Sequence, residues 1–371
     1  MNGAPRFGII VGGRFDGSKR AAIARNEQPR VDVFEMEAAL PAELYDFAWL
    51  EERARSEWLT GLVVKTLGKR FGLMSEALAL RLLFQARDHQ AFFATGEDVG
   101  LSLGVLLRFV PGRPRLVMRV ESLQYGRTRA RRAIYRSFVR LASASIDAFV
   151  CRTHAYERYL EDELGVSRSR IAFAPEPVDT RFFDRSNLAG ERPDFVPAGP
   201  FFFAAGLELR DYDTLVQAAR GLDVPIVIAS GSPWSHDSYG LEAGEKPVNV
   251  QVRRFTQAEL RELYARALAV VVPLRPSIRS CGISVVNEAA RMRCPVVASR
   301  TEGLMTYVDD GQSGFFVPPG DAAALREALK AILSDREKLA ALTERAYERT
   351  SERAPLEKYV EHIGRLLRAR E

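Results

Sequence analysis

Between Arg275 and Asp321 the sequence gathers the residue types that bind a phosphate-bearing ligand. An apolar run at 269–272 leads into the polar loop RPSIRSCGI (275–283), which opens a helix expected from about Ser284 to Met292. Such a loop points backbone N–H groups and the positive end of the helix dipole at its mouth, an arrangement that suits a diphosphate. Glu288 lies one turn into that helix, placed to accept hydrogen bonds from a sugar diol; an ordinary exposed helix glutamate is the alternative. Gly303, in the turn TEG (301–303), lets backbone approach a ligand closely. In the first half, Gly12 and Gly13 follow an apolar run, and Glu97 with Asp98 opens a helix. There the two acids either favour the helix N-terminus, worth about 0.3–1 kcal/mol, or present Glu97 to sugar hydroxyls. Three cysteines (Cys151, Cys281, Cys294) and four scattered histidines offer no metal-ligand spacing and no disulfide framework, so no metal is expected.

The elements that must position these residues alternate between short apolar runs and longer helical patterns, which predicts βαβ units and parallel sheets. Expected strands are Phe7–Val11, Val31–Phe34, Ala91–Ala94, Leu116–Val120, Ala148–Val150 and Ile171–Phe173, then Phe201–Ala205, Pro225–Ala229, Val248–Val252, Leu268–Val272, Pro295–Ser299 and Phe315–Val317. Their near-continuous apolarity is that of strands covered on both faces. Thr256 with Glu259 forms a capping box for a helix over Gln257–Ala267, and Asp321 caps the helix that buries Leu325 and Leu329. The polar segment 184–199 (DRSNLAGERPDFVPAG) is the expected linker. The domains read as 1–190, 191–350, and a C-terminal helix at 351–371 that packs back toward the first. Open parallel sheets take ligands beyond the carboxyl ends of their strands, which places a phosphate-bearing ligand in the cleft.

The stretch NEAARMRCPVVASRTEGLMTYVDDGQSGFFVPPGD (287–321) resembles the glycosyltransferase family 4 pattern "LEAMA-x-G-x-PVVAS…V-DG-x-x-G-LLVPPGD". AAGLELRDYDTLVQAA (204–219) is similar to that family's "GRL…KG…LI-A" segment, and VDTRFF (178–183) to the close of its N-terminal domain. The resemblance implies the GT-B fold, with two Rossmann-like domains whose parallel sheets face across a donor/acceptor cleft. It implies a metal-independent, retaining transfer from a nucleotide-diphosphate sugar, such as a UDP- or GDP-sugar, to a glycan, lipid-linked or small-molecule hydroxyl, with no cofactor. Glu288 would hold the donor ribose, and Arg210, beside Gly206, the diphosphate. Ser280, Cys281, Gly282, Ile283 and Ser284 would surround the phosphates and sugar, while Thr301, Glu302 and Gly303 close over the sugar. Gly12 and Gly13 match a loop near the donor phosphate and acceptor.

Three departures stand out. Ser280 occupies the place of the family's first motif glutamate, Leu207 that of a common arginine, and Arg293 that of the glycine before the Pro295 strand. Glu121 stands where many related enzymes carry a histidine, and none of His89, His154, His236 or His362 replaces it. Glu121, Glu97 and Arg210 are therefore the catalytic candidates. The other readings are a GT-B nucleotide-sugar epimerase and a non-catalytic nucleotide-sugar-binding subunit.

Composition is that of a globular protein, 47% hydrophobic and 27% charged. The net charge of +5 fits phosphate-bearing or membrane partners, and no nucleic-acid-binding motif accompanies it. The N-terminus lacks signal-peptide features and no apolar run reaches the roughly 20 residues of a membrane span, so a cytoplasmic protein is expected. Two apolar-basic stretches suit the inner membrane face or a solvated helix face. One is 127–140, with Arg127, Arg129, Arg131, Arg132, Arg136 and Arg140; the other runs from Trp58 to Met74.

Overall fold

The computed structural model describes residues 6–15, 17–123, 128–231, 246–334 and 336–369. It forms two compact units. The first comprises Met1–Ser18, Val31–Pro175 and Glu357–Glu371; the second comprises Lys19–Arg30 and Glu176–Leu356.

In the first unit six parallel strands, β1 (Phe7–Ile10), β2 (Ala42–Tyr45), β3 (Ala91–Ala94), β4 (Arg115–Arg119), β5 (Ala148–Cys151) and β6 (Ile171–Phe173), run in the order β2-β1-β3-β4-β5-β6. Phe7, Ala91 and Leu116 are buried, as a sheet covered on both faces requires. The order reverses between β1 and β3, so the crevice at their carboxyl ends is framed by Gly12–Gly13 on one side and Gly96–Glu97 on the other.

The second unit repeats the principle with β7 (Phe202–Ala205), β8 (Ile226–Ala229), β9 (Val250–Arg253), β10 (Ala269–Val272), β11 (Val296–Ser299) and β12 (Phe315–Val317), in the order β12-β11-β10-β7-β8-β9. Its reversal lies between β7 and β10. The loops leaving those two strands carry Gly206–Arg210 and 273–282. On one face, Phe203, Val270, Val272 and Val296 pack with Ala289 and Met292 of the helix Ile283–Arg291. On the other, Phe202, Val271 and Val297 meet Leu325 and Leu329. The capping box of Thr256 and Glu259 is present, and Asp321 accepts the Ala324 amide at 2.9 Å.

Two expectations need correcting. Val31–Phe34 is not a strand but the start of a helix, Asp32–Ala39, because Val33, Phe34 and Met36 bury one helical face. The strand of that region is β2, an edge strand whose Ala42-Glu43-Leu44 sequence is half exposed and lacks the continuous apolarity of its neighbours. Segment 184–199 is not a linker either, since the chain changes unit at Pro175 and Glu176. Its Pro and Gly content reflects irregular backbone that is nonetheless packed: Val196 is buried and the Ala189 amide donates to Glu262 at 2.6 Å. Arg293, in the family's glycine position, takes the left-handed φ of 53° that the glycine would occupy freely. Its guanidinium is held by Glu344 and lies 3.6 Å from the Tyr347 ring centroid.

Residues 19–30 are tied into the second unit by Asp179, which accepts the Arg30 amide at 2.8 Å and its guanidinium at 2.7 Å. Asp179 is buried. Asp179→Ala strands a nearly buried cation, and should lower the stability of this unit by about 3 kcal/mol in urea titration. A change within half a kcal/mol would show that the pair does not hold the segment.

Candidate functional site

The loops after β7 and β10 are laced together before any ligand arrives. The Asp211 amide donates to Pro273 at 2.9 Å and the Arg275 amide to Leu209 at 3.0 Å, flanking an antiparallel bridge between Arg210 and Leu274. Ser299, at the end of β11, fixes the second loop by accepting the Leu274 amide at 2.9 Å. This lacing buries Arg210. Its Nε donates to the Ala205 carbonyl at 2.8 Å and one terminal nitrogen to Glu208 at 3.1 Å, and no carboxylate pairs with it among the described residues. A buried guanidinium bound only to neutral carbonyls retains most of its attraction for an anion.

Two glycines make room for it. Gly206 has φ 91°, and a Cβ there would stand 2.4 Å from the Arg210 guanidinium. Gly282 has φ 81° and caps the helix Ile283–Arg291, where a Cβ would meet Val272 at 2.8 Å. The helix N-terminus and Arg210 thus converge on one place, which is an anion-binding arrangement. Ser280 Oγ and Thr301 Oγ1 are both buried there without a hydrogen-bond partner among the described residues. Buried hydroxyls are normally satisfied, which makes these two notable.

Several predicted contacts are sharpened. Cys281 and Ile283 turn their side chains into the core, so only their backbone can face a ligand. At Gly303 a Cβ would lie 2.4 Å from the Arg279 carbonyl. The glycine lets the 301–303 turn pack against the 275–283 loop, setting Thr301 near Ser280's loop. Glu302 is exposed. Ser284 is exposed and donates to Glu176 Oε1 at 2.9 Å.

Glu288 is not an ordinary exposed helix glutamate. It is largely buried and accepts from the Tyr264 hydroxyl at 2.7 Å. Burial pushes its carboxyl up to about 7; the Tyr264 bond opposes this, the neighbouring Glu176 charge adds to it, and Arg210 opposes it. Glu176 escaped the sequence reading. It sits at the start of the second unit, with its amide bound by the Tyr307 hydroxyl and its carbonyl by Asn287, both at 2.8 Å. The bonds of Glu176 to helix Ile283–Arg291 join residues more than a hundred positions apart, which no local pattern reveals.

In the first unit, Glu97 and Glu121 come together at the carboxyl ends of β3 and β4. Glu97 is buried and accepts the amides of Glu121, at 2.6 Å, and of Ser122. Burial raises its carboxyl to about 7, although the Ser122 amide favours the ionised form. Glu121 is held on one oxygen by Arg119, at 2.7 Å, and on the other by Arg152. Arg119 also pairs with Asp32. At Gly12 a Cβ would collide with the Asp98 carboxylate at 1.6 Å, whereas Gly13 faces open space. Any larger residue at position 12 would therefore displace the Asp98 carboxylate. Of the histidines, His89 bonds Tyr45, His154 bonds Glu157 and stacks on Phe173, and His362 is half buried. His236 lies outside the described residues. Among those residues no cluster of metal-binding side chains is present.

Residues 201–349 match the family model described as Glycosyl transferases group 1. The D-inositol 3-phosphate glycosyltransferase of Nocardia farcinica is 30% identical over 214 residues, 53% of this chain and 47% of that protein. D-rhamnosyltransferase WbpZ of Pseudomonas aeruginosa is 29% identical over 137 residues, 36% of each chain. The chain thus spans about half the length, or less, of these curated relatives. Among solved structures, HepE of Anabaena, in complex with UDP and glucose, is similar over 99% of this chain and 100% of its own, with TM-score 0.71 and 17% identity. Sucrose-phosphate synthase of Thermosynechococcus elongatus gives TM-score 0.68 and 17% identity over 98% of both chains. With the two parallel sheets, these likenesses establish the GT-B fold.

Raised carboxyls set a sign for the pH response. Glu97 and Glu288 bind a proton more tightly folded, near 7, than at their ordinary value of 4.5. Their contribution is full below 4.5 and is lost as pH rises through about 7. The unfolding midpoint of the ligand-free protein should fall across that window, and Glu288→Gln should flatten part of the fall. A variant with the same slope as the parent would mean that Glu288 is ionised throughout.

Proposed function

We propose that this chain is a glycosyltransferase that moves a sugar from a nucleoside-diphosphate sugar to a hydroxyl acceptor. The observation that carries the reading is Arg210: a buried guanidinium with no ion-paired carboxylate among the described residues, beside the N-terminus of helix Ile283–Arg291. In this reading the diphosphate takes the place of the missing counterion. Glu288, anchored by Tyr264, accepts from the donor ribose hydroxyls, and the orphaned hydroxyls of Ser280 and Thr301 reach the phosphates or the transferred sugar. The relatives' transfer of sugars, and the UDP and glucose bound to HepE, support a nucleotide-sugar donor of the UDP type.

The bond from the anomeric carbon to the β-phosphate oxygen breaks, and a bond to the acceptor oxygen forms on the same face. The acceptor proton passes to the departing phosphate oxygen, so configuration is retained and no external base is needed. Arg210 and the helix amides stabilise the negative charge that grows on the leaving diphosphate, the usual dominant contribution in such a site. They do so without a metal ion. Glu97 and Glu121 act as positioning residues: the first holds the amides that follow β4, and the second is fixed between Arg119 and Arg152.

Incubation with a panel of nucleotide sugars should release one nucleoside diphosphate, and EDTA should leave the rate unchanged. Arg210→Ala should weaken binding of that diphosphate by roughly tenfold to a hundredfold, the value of one charge-assisted bond, while the folded content stays constant by circular dichroism. Undiminished affinity would remove Arg210 from the site. Glu288→Ala should erase the preference for ribonucleotide over its 2′,3′-dideoxy counterpart; a preserved preference would place the ribose elsewhere.

A further inference from the structure

The segment 58–73 has its polarity inside out. It runs as a helix, Trp58–Val63, that continues into a π-helical stretch, Val64–Arg70. The stripe turned toward the protein is Thr60, Val64 and Gly68, spaced every four residues and containing a hydroxyl and no large side chain. Gly68 is needed there, because a Cβ would meet the Met74 sulfur at 2.3 Å. The outward stripe holds the larger apolar groups: Trp58 is 76% exposed, Leu59 54%, Leu62 52% and Phe71 64%. Scattered exposed apolar residues are ordinary, but four large ones within one short helical run, outward of a smaller buried stripe, mark an interaction surface.

The charges on the same side identify what it meets. Lys65, Lys69 and Arg70 are exposed and make no ion pair among the described residues. The sequence from 58 to 73 contains no acidic residue at all. Apolar side chains at both ends with unpaired cations between them match the boundary of an anionic bilayer, where rings and aliphatic chains enter the headgroup region and ammonium groups stay with the phosphates. No described helix is long and apolar enough to cross a membrane, so the contact is peripheral. The basic helix Arg129–Ser143 fits this role less well. Its Arg136 pairs with Glu163 at 2.6 Å and its Arg140 donates to the Glu163 carbonyl, while Arg127 and the side chains of Arg129 and Arg131 lie outside the described residues.

We propose that the 58–73 face docks on an anionic lipid surface through Trp58, Leu59, Leu62 and Phe71, steered by Lys65, Lys69 and Arg70. The inference does not depend on sugar transfer, and its test contains no nucleotide. Flotation with equimolar phosphatidylglycerol and phosphatidylcholine vesicles at low salt should carry the protein upward, with little binding to phosphatidylcholine alone. Lys65→Glu with Lys69→Glu should lower partitioning by roughly tenfold or more, given the energy of each basic group at such a surface, and Leu59→Ser with Leu62→Ser should do likewise. These positions are exposed, so thermal midpoints should hold. Should a variant misfold, Trp58 emission in the parent reports directly: it should shift to the blue with anionic vesicles, and Trp58→Phe should remove the shift. The proposal is overturned if the parent fails to bind, if both double variants bind like the parent, or if the face instead forms dimers in lipid-free sedimentation and ignores vesicles.

Discussion

A buried guanidinium that forms no ion pair among the described residues is the constraint around which the second unit is organised. Burying Arg210 is unfavourable unless its charge is answered, and the fold answers it only in part, with the carbonyls of Ala205 and Glu208. Everything adjacent preserves that incompleteness. Gly206 removes the Cβ that would strike the guanidinium, Gly282 brings the helix N-terminus beside it, and the lacing of Asp211 to Pro273 and of Arg275 to Leu209 fixes both loops. The donors of this site are thus fixed in place by the fold itself, which is the preorganisation that the proposed diphosphate binding requires.

The strand order explains why the site stands where it does. The helices that follow β7 and β10 pack on opposite faces of the sheet, so their N-termini meet at the switch point, where the two loops are bonded to each other. The same reversal between β1 and β3 produces a second mouth in the first unit, but its chemistry differs. There the carboxylates of Glu97 and Glu121 are already engaged by backbone amides and by Arg119 and Arg152. One unit presents an unsatisfied cation, while the other presents acids whose partners are in place.

Much of this was legible in the sequence. Continuous apolar runs located eleven of the strands within a residue or two, because buried parallel strands leave that signature. Gly206, Arg210, Gly282 and Glu288 could be named because their spacing resembles a known pattern, and the structure brings them to one mouth. What escaped depends on tertiary context. The edge strand Ala42–Tyr45 lacks apolar continuity, and Val31–Phe34 reads as β-branched although burial of Val33, Phe34 and Met36 makes it helical. Glu176 is tied to the site by long-range bonds, accepting from Ser284 and Asn287 and donating its amide to the Tyr307 hydroxyl. The close packing of Gly303 against the Arg279 carbonyl is likewise a tertiary feature that no local pattern reveals. The sequence marked 58–74 as an apolar-basic stretch, but which of its residues face outward follows only from the packing of Thr60, Val64 and Gly68.

A crystal structure with a bound nucleoside diphosphate examines the central claim most directly. The diphosphate should lie within hydrogen-bond distance of the Arg210 guanidinium and of the first amides of helix Ile283–Arg291, with the ribose hydroxyls on Glu288. A diphosphate bound elsewhere, with Arg210 still bonded only to Ala205 and Glu208, would contradict it.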